Sequence, residues 1–149
     1  MRAVCTVVRS AKLVVDGNLI SEIGKGLLVF CGFAEDDTEK SIEKALHKIA
    51  GLRVMDDADG KLNRSLKDVG GEMLFVSNFT LYGDVSRGFR PSFIKSMKYD
   101  AACTLYKYAS DRLKEMGVSV KCGVFGGDMK IEAHYDGPIN IIVDSEDLL

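Results

Sequence analysis

Leu27–Phe33 restricts what this chain can fold into more than any other stretch: seven consecutive residues without a charge, preceded by the turn signal Gly24-Lys25-Gly26. A short apolar run of this kind is a strand covered on both faces, so the rest of the chain must supply a layer for each side. The preceding segments read as antiparallel neighbours. Arg2–Arg9 is rich in Val and Thr, Lys12–Val15 runs into the hairpin signal Asp16-Gly17, and Asn18–Ile23 follows. Two helices offer cover. Asp36-Asp37-Thr38 opens the first with capping residues and early acids, Ile42, Ala45, Leu46 and Ile49 keep helical spacing, and Gly51 stops it. Tyr99–Met116 carries Ala102, Leu105, Tyr106, Ala109 and Leu113 on one stripe and ends before Gly117.

Between and after the helices the chain returns to β structure. Glu72–Phe79 reads as a buried strand behind Gly70-Gly71, followed by a polar loop from Gly83 to about Lys98. Val118–Gly123, Met129–Tyr135 and Ile139–Val143 complete the set, with Gly137-Pro138 interrupting the last pair. Asp56–Gly60 reads as a tight turn; a calcium loop of the EF-hand kind needs a Glu at its twelfth position, and Lys67 stands there. No linker or repeat divides the 149 residues, a length at which a chain buries about 68–70% of its unfolded surface. The expectation is one domain over residues 1–149, α/β in class (of the α+β type), mainly antiparallel and barrel-like, with two main helices.

Charge narrows the function classes. With 20 Lys and Arg against 22 Asp and Glu, the net −2 argues against a protein that coats nucleic acid by bulk charge. The distribution is uneven: residues 84–114 hold seven basic and three acidic side chains, whereas residues 128–149 hold one and six. Such asymmetry fits a solvated helix face plus an acidic tail, or else an anionic partner. Arg2, Arg9, Lys12 and Asp16 interrupt the start of the chain, so no secretory h-region is expected, and no apolar run approaches the ~20 residues of a membrane span. Cys5, Cys31, Cys103 and Cys122 lack CxxC spacing and read as reduced thiols of a cytoplasmic protein. His47 and His134, the only histidines, lie far apart, which argues against a zinc site.

Three stretches carry residues that serve local structure poorly. Ser77-Asn78-Phe79-Thr80-Leu81 closes an apolar strand with polar side chains, a place suited to ligand contacts or to a turn capped by Asn78. Gly83–Phe93 combines glycines with Arg87 and Arg90 and with Phe89 and Phe93; it reads equally as a long surface loop pinned by Pro91 and Phe93 or as an RNA contact, since arginine forks onto phosphate and aromatics stack on bases. Asp136-Gly137-Pro138-Ile139-Asn140 marks an edge, bulge or turn between strands. Conventional catalytic sets are absent. Ser77 and Thr80 lie outside any Gly-x-Ser-x-Gly elbow, no histidine is near them in sequence, and a Cys103–His134 pair is the weakest alternative because a helix stripe buries Cys103.

At these stretches, and nearly end to end, the chain resembles the D-aminoacyl-tRNA deacylases. The likeness is carried by Met1-Arg2-Ala3-Val4, Gly24–Val29, Gly60-Lys61-Leu62-Asn63, Ser77–Leu81, Gly88–Phe93, Phe125-Gly126-Gly127-Asp128-Met129 and Gly137-Pro138, in order and at matching spacing. The resemblance implies hydrolysis of the ester between a D-amino acid and the terminal adenosine of tRNA, and of glycyl esters such as glycine mischarged on tRNA(Ala), with neither metal nor cofactor. It implies a homodimer gripping the acceptor end, in which Gly137-Pro138, with a cis peptide, enters the partner's site and blocks L side chains. Positioning and oxyanion roles fall on Ser77, Asn78, Phe79 and Thr80, with Thr80 the less favoured as nucleophile. Substrate contacts fall on Leu81, Phe89, Arg90, Pro91, Ser92, Phe93, Met129, Gly137 and Pro138. An aminoacyl ester is activated, so oriented water, the ribose 2′-hydroxyl and backbone donors suffice. Asn78 stands where the family has Gln, Ile139-Asn140 where it has Val-Thr, and Asp136 where Asn is frequent. Ser77, where a less selective animal group has Pro, favours the strict D-selective class. The alternative is a non-catalytic nucleic-acid-binding relative.

Overall fold

The structure, a computed structural model, describes residues 1–148. Its strands are β1 (Arg2–Val15), β2 (Asn18–Ile23), β3 (Gly26–Gly32), β4 (Met55–Asp56), β5 (Leu62–Arg64), β6 (Glu72–Ser77), β7 (Ser119–Cys122) and β8 (Met129–Asp144), with helices α1 (Glu39–Ala50) and α2 (Tyr99–Glu115). The main sheet runs β2-β1-β3-β6-β7, and β8 pairs with β1. Antiparallel pairing joins β1 to β2, β3 and β8. The two parallel pairs, β3–β6 and β6–β7, are each spanned by a helix, as a crossover between parallel strands requires. The result is a mixed, nearly closed sheet with two helices.

Four segments expected as separate strands are joined in two pairs. Arg2–Arg9 and Lys12–Val15 form one strand, as do Met129–Tyr135 and Ile139–Val143. The pairing of β1 with β8 shifts register between Thr6 and Val8 and again between Val8 and Ser10. An extra residue flips the side-chain alternation while the ladder continues. Ahead of the shift Ala3, Cys5 and Val7 face the helices, joining Leu27, Val29, Phe75, Ile42, Leu46 and Leu113 in the larger core. Beyond it Val8, Ala11 and Leu13 face the other side, closing over Leu28, Leu74 and Val76 together with Met129, Ile131 and Ala133. Both faces of β3 are therefore covered, by helices on one side and by the curled sheet on the other.

Local chemistry explains the helix ends. Thr38 caps α1, its hydroxyl accepting from the Ser41 amide at 3.2 Å while Ser41 Oγ accepts from the Thr38 amide at 2.8 Å. Gly51 closes the other end. The helix pair is clasped by Glu43, which accepts from Arg112 Nε at 2.8 Å and from the Tyr108 hydroxyl. These contacts hold the Glu43 carboxyl below the usual glutamate range, the Arg112 bond first and Tyr108 second. Asp56–Gly60 is a turn, now seen to join the short hairpin β4–β5, and Asp57 Oδ1 accepts from the Asp59 and Lys61 amides at 2.9 Å each.

Candidate active site

The parallel strands β3 and β6 end side by side, and the chain leaving β6 must turn away there. The Asn78 amide donates to Cys31 O at 2.6 Å as the last link between the strands. Asn78 then caps a single 3-10 turn, Phe79–Tyr82, its Oδ1 accepting from the Thr80 amide at 3.3 Å and from Thr80 Oγ1 at 2.5 Å. Strand Glu72–Phe79 thus stops at Ser77, because the Asn78 side chain offers the backbone another partner. Arg2 braces the turn from β1: Nη1 donates to Leu81 O at 3.0 Å, Nε to Asp144 Oδ2 at 2.7 Å, and the guanidinium lies 4.9 Å from the Tyr82 ring centroid. A Cβ at Gly32 would come within 2.8 Å of Asn78 O, so only glycine lets the turn close on β3.

Beside this turn is a cavity of about 640 Å³. Ser77, Asn78 and Phe79 form one wall; Phe125, Gly126, Gly127 and Met129 face them, and Met97, Tyr99 and Ala102 come from the start of α2. Tyr99 meets Phe125 edge-on at 5.1 Å. Among the described residues no Asp, Glu, His, Lys or Arg lines it. Cys31 does, but burial pushes its thiol well above the ordinary value, so it stays protonated. The Phe79 N–H, at the head of the 3-10 turn, has no intramolecular acceptor among the described residues. The arrangement suits a reaction needing orientation and a hydrogen-bond donor rather than an acid–base pair.

Of the residues singled out from the sequence, Ser77, Asn78, Phe79 and Met129 meet at this cavity. Thr80, Leu81, Phe89, Arg90, Pro91, Ser92, Phe93, Gly137 and Pro138 are not among its lining. Phe93 packs edge-on against Phe79 at 5.0 Å. Gly137 and Pro138 are exposed on a bulge of β8; their peptide bond is cis and Gly137 has φ +130°. Cys103 is half-buried rather than buried and lines no part of the cavity, while His134 is exposed, its Nδ1 3.2 Å from Ser10 Oγ. Phe30, Phe33 and Ile131 were missed as lining residues because strand alternation makes them look like ordinary core. Gly32, invariably awkward inside a strand, was the available signal for a close backbone approach there.

No helix of the described residues is long and apolar enough to cross a membrane. Among those residues no group of three or more His, Cys, Asp or Glu is arranged to hold a metal ion.

Comparison with known proteins gives the site a family. A profile described as D-Tyr-tRNA(Tyr) deacylase matches residues 4–144. The chain is 47% identical over 146 residues to the D-aminoacyl-tRNA deacylase of Clostridium kluyveri, covering 98% of each protein. It is 45% identical over 148 residues to that of Thermotoga petrophila, covering 99% of each. Among solved structures, the c-Myc DNA unwinding element binding protein has a TM-score of 0.90 at 35% identity, over 97% of this chain and 98% of that one. A probable eukaryotic D-amino acid tRNA deacylase has a TM-score of 0.81 at 17% identity, over 95% and 97%, a likeness of fold alone. These relationships put the protein among hydrolases of the aminoacyl-tRNA ester, not among binding modules without turnover. It belongs to the D-Tyr-tRNA(Tyr) deacylase family.

Proposed function

We propose that the cavity between Ser77–Phe79 and Phe125–Met129 receives the aminoacyl-adenosine end of a D-aminoacyl-tRNA and that the protein frees the amino acid by hydrolysis. The observation that carries this reading is a cavity lined by a polar strand end with a free Phe79 amide and by the aromatic rings of Tyr99 and Phe125, with no ionised side chain among its described lining residues. Tyr99 and Phe125 offer a surface for adenine. Water adds to the ester carbonyl carbon, and the carbonyl electron pair moves to oxygen, where the Phe79 amide receives it. Collapse re-forms the carbonyl and breaks the bond to the ribose oxygen. That oxygen takes up the proton given by the water, passed through the neighbouring ribose hydroxyl. Thr80 takes no covalent part; it steadies Asn78, to which its hydroxyl proton is already committed.

Chiral selection is assigned to a second copy of the chain. Gly137 and Pro138 do not line their own cavity, yet they protrude from β8 between the exposed side chains of Tyr135 and Ile142. Exposed apolar side chains beside an exposed bulge suit a two-fold interface. In a homodimer the pair enters the partner's cavity and its backbone fills the space an L side chain needs, while D side chains and glycine pass. Incubation with D- and L-tyrosyl-tRNA tests the reading: the D-ester is expected to disappear faster than in buffer, and the L-ester at the buffer rate. Equal rates for the D-ester with and without protein would overturn it.

A further inference from the structure

We infer that the excursion Asp84–Ser92, with Lys98, grips the single-stranded end of the substrate RNA. Arg87, Arg90 and Lys98 take phosphates of the nucleotides that precede the terminal adenosine, and Phe89 stacks on an unpaired base. This rests on reading the cavity as the aminoacyl-adenosine site.

The basic segment 84–114 is not uniformly available. Among the described residues Lys95 pairs with Asp84, Lys107 and Lys114 with Asp111, and Arg112 with Glu43 and Glu115. That leaves Arg87, Arg90 and Lys98 in no salt bridge, all three exposed. The first two sit on a pinched loop. The Asp84 amide donates to Ser92 O at 2.8 Å and the Ser92 amide to Asp84 O at 2.9 Å, and every residue from Val85 to Pro91 is exposed. Phe89 at its tip is fully exposed and stacks on no aromatic, whereas Phe79, Phe93, Tyr99 and Phe125 are all paired. An aromatic between two unpaired guanidinium groups is the pattern that holds single-stranded nucleic acid.

The root of the loop belongs to the cavity rim. Phe93 rests on Phe79, Ser96 Oγ donates to Phe79 O at 3.1 Å, and the Met97 amide donates to Phe33 O at 3.0 Å. Lys98 lies between Met97 and Tyr99, both lining residues. Lys98 and the root of the loop thus adjoin the same rim, which is where the proposal has the RNA leave the cavity. A second groove reaches the foot of the loop at Asp84, Val85 and Ser86 and suits RNA less well: there Arg2 and Lys95 are neutralised by Asp144 and Asp84, and Glu35, Asp36 and Glu146 are in no salt bridge among the described residues.

The test compares two substrates, D-tyrosyl-tRNA and D-tyrosyl-adenosine, the latter without the preceding nucleotides. For the Arg87→Ala/Arg90→Ala protein at 150 mM salt, KM for the tRNA should rise about tenfold or more, with kcat nearly unchanged and a salt slope shallower by about 1.4. Hydrolysis of D-tyrosyl-adenosine should not change. Phe89→Ala should raise KM for the tRNA about tenfold, and Lys95→Ala, with the same loss of charge per residue, should leave it within about twofold. Equal losses on both substrates, no loss on either, an equal effect of Lys95→Ala, or conversion of the double variant to monomers in sedimentation would overturn the grip. Binding of uncharged tRNA separates this inference from the deacylase reading. Weakened binding in the variants, with a parent that hydrolyses neither ester, sustains the grip and removes the hydrolase.

Discussion

Thr80 has the hydroxyl that a covalent mechanism would enlist, and its surroundings argue against that role. Its Oγ1 donates to Asn78 Oδ1, no histidine or carboxylate lines the cavity, and Thr80 itself lies outside the lining. Thr80→Ala should keep kcat/KM within about tenfold of the parent, whereas loss of a nucleophile costs several orders of magnitude; single-turnover deacylation distinguishes the two. Gly32 is the reverse case, a residue with no functional group on which the site depends. Gly32→Ala sets a Cβ 2.8 Å from Asn78 O and 3.3 Å from the Tyr82 ring. The 3-10 turn must move away, costing about 1–3 kcal/mol in stability and about 100-fold in kcat/KM for D-tyrosyl-tRNA. Thermal melts alongside the kinetics check both numbers. At this scale Ser77-Asn78-Phe79 was legible, because polar side chains stood at the end of an apolar strand. Phe30 and Ile131 were not, since an alternating strand residue looks the same whether it meets a core or a cavity.

The elements were legible in type and less so in extent. Helix α1 begins and ends where its capping residues stand, and α2 ends one residue before Met116. The joined strands β1 and β8 were read as four because Ser10 and Gly137-Pro138 break the local pattern, and a register shift absorbs the break without ending the ladder. The clasp between helices makes the molecule sensitive to acid. Glu43 has its pKa lowered by Arg112 and Tyr108, so its contribution is complete above the ordinary glutamate value of about 4.3. It is lost as pH falls from there through the lowered value. Glu43→Gln should therefore reduce Tm at neutral pH and make the fall of Tm below about pH 4.3 shallower. Parallel Tm–pH curves for parent and variant would exclude this role.

On the scale of the whole molecule, the proposed homodimer would have the Gly137-Pro138 bulge of one subunit complete the cavity of the other, and mixing variants tests that directly. Gly137→Ala puts a side chain at φ +130° and a Cβ 2.6 Å from the Ile139 amide nitrogen, so the bulge cannot keep its shape. Refolding Gly32→Ala and Gly137→Ala chains together should recover about a quarter of the parent's activity, the statistical share of intact sites in a two-fold dimer built across subunits. Recovery of nothing beyond the two separate activities would mean that each subunit works alone. The sequence by itself determined the inventory: the doubly covered central strand, two capped helices, the hairpin turns and the polar close of β6. Those follow from periodicity and turn chemistry, which act over a few residues. Only the tertiary structure decided which of them meet. The register shift in β1 turns one face of the sheet inward twice, closing the second core and bringing Phe125–Met129 opposite Ser77–Phe79. That pairing spans some fifty residues of chain, and contact at such separation depends on how the whole sheet curls, which no local pattern records.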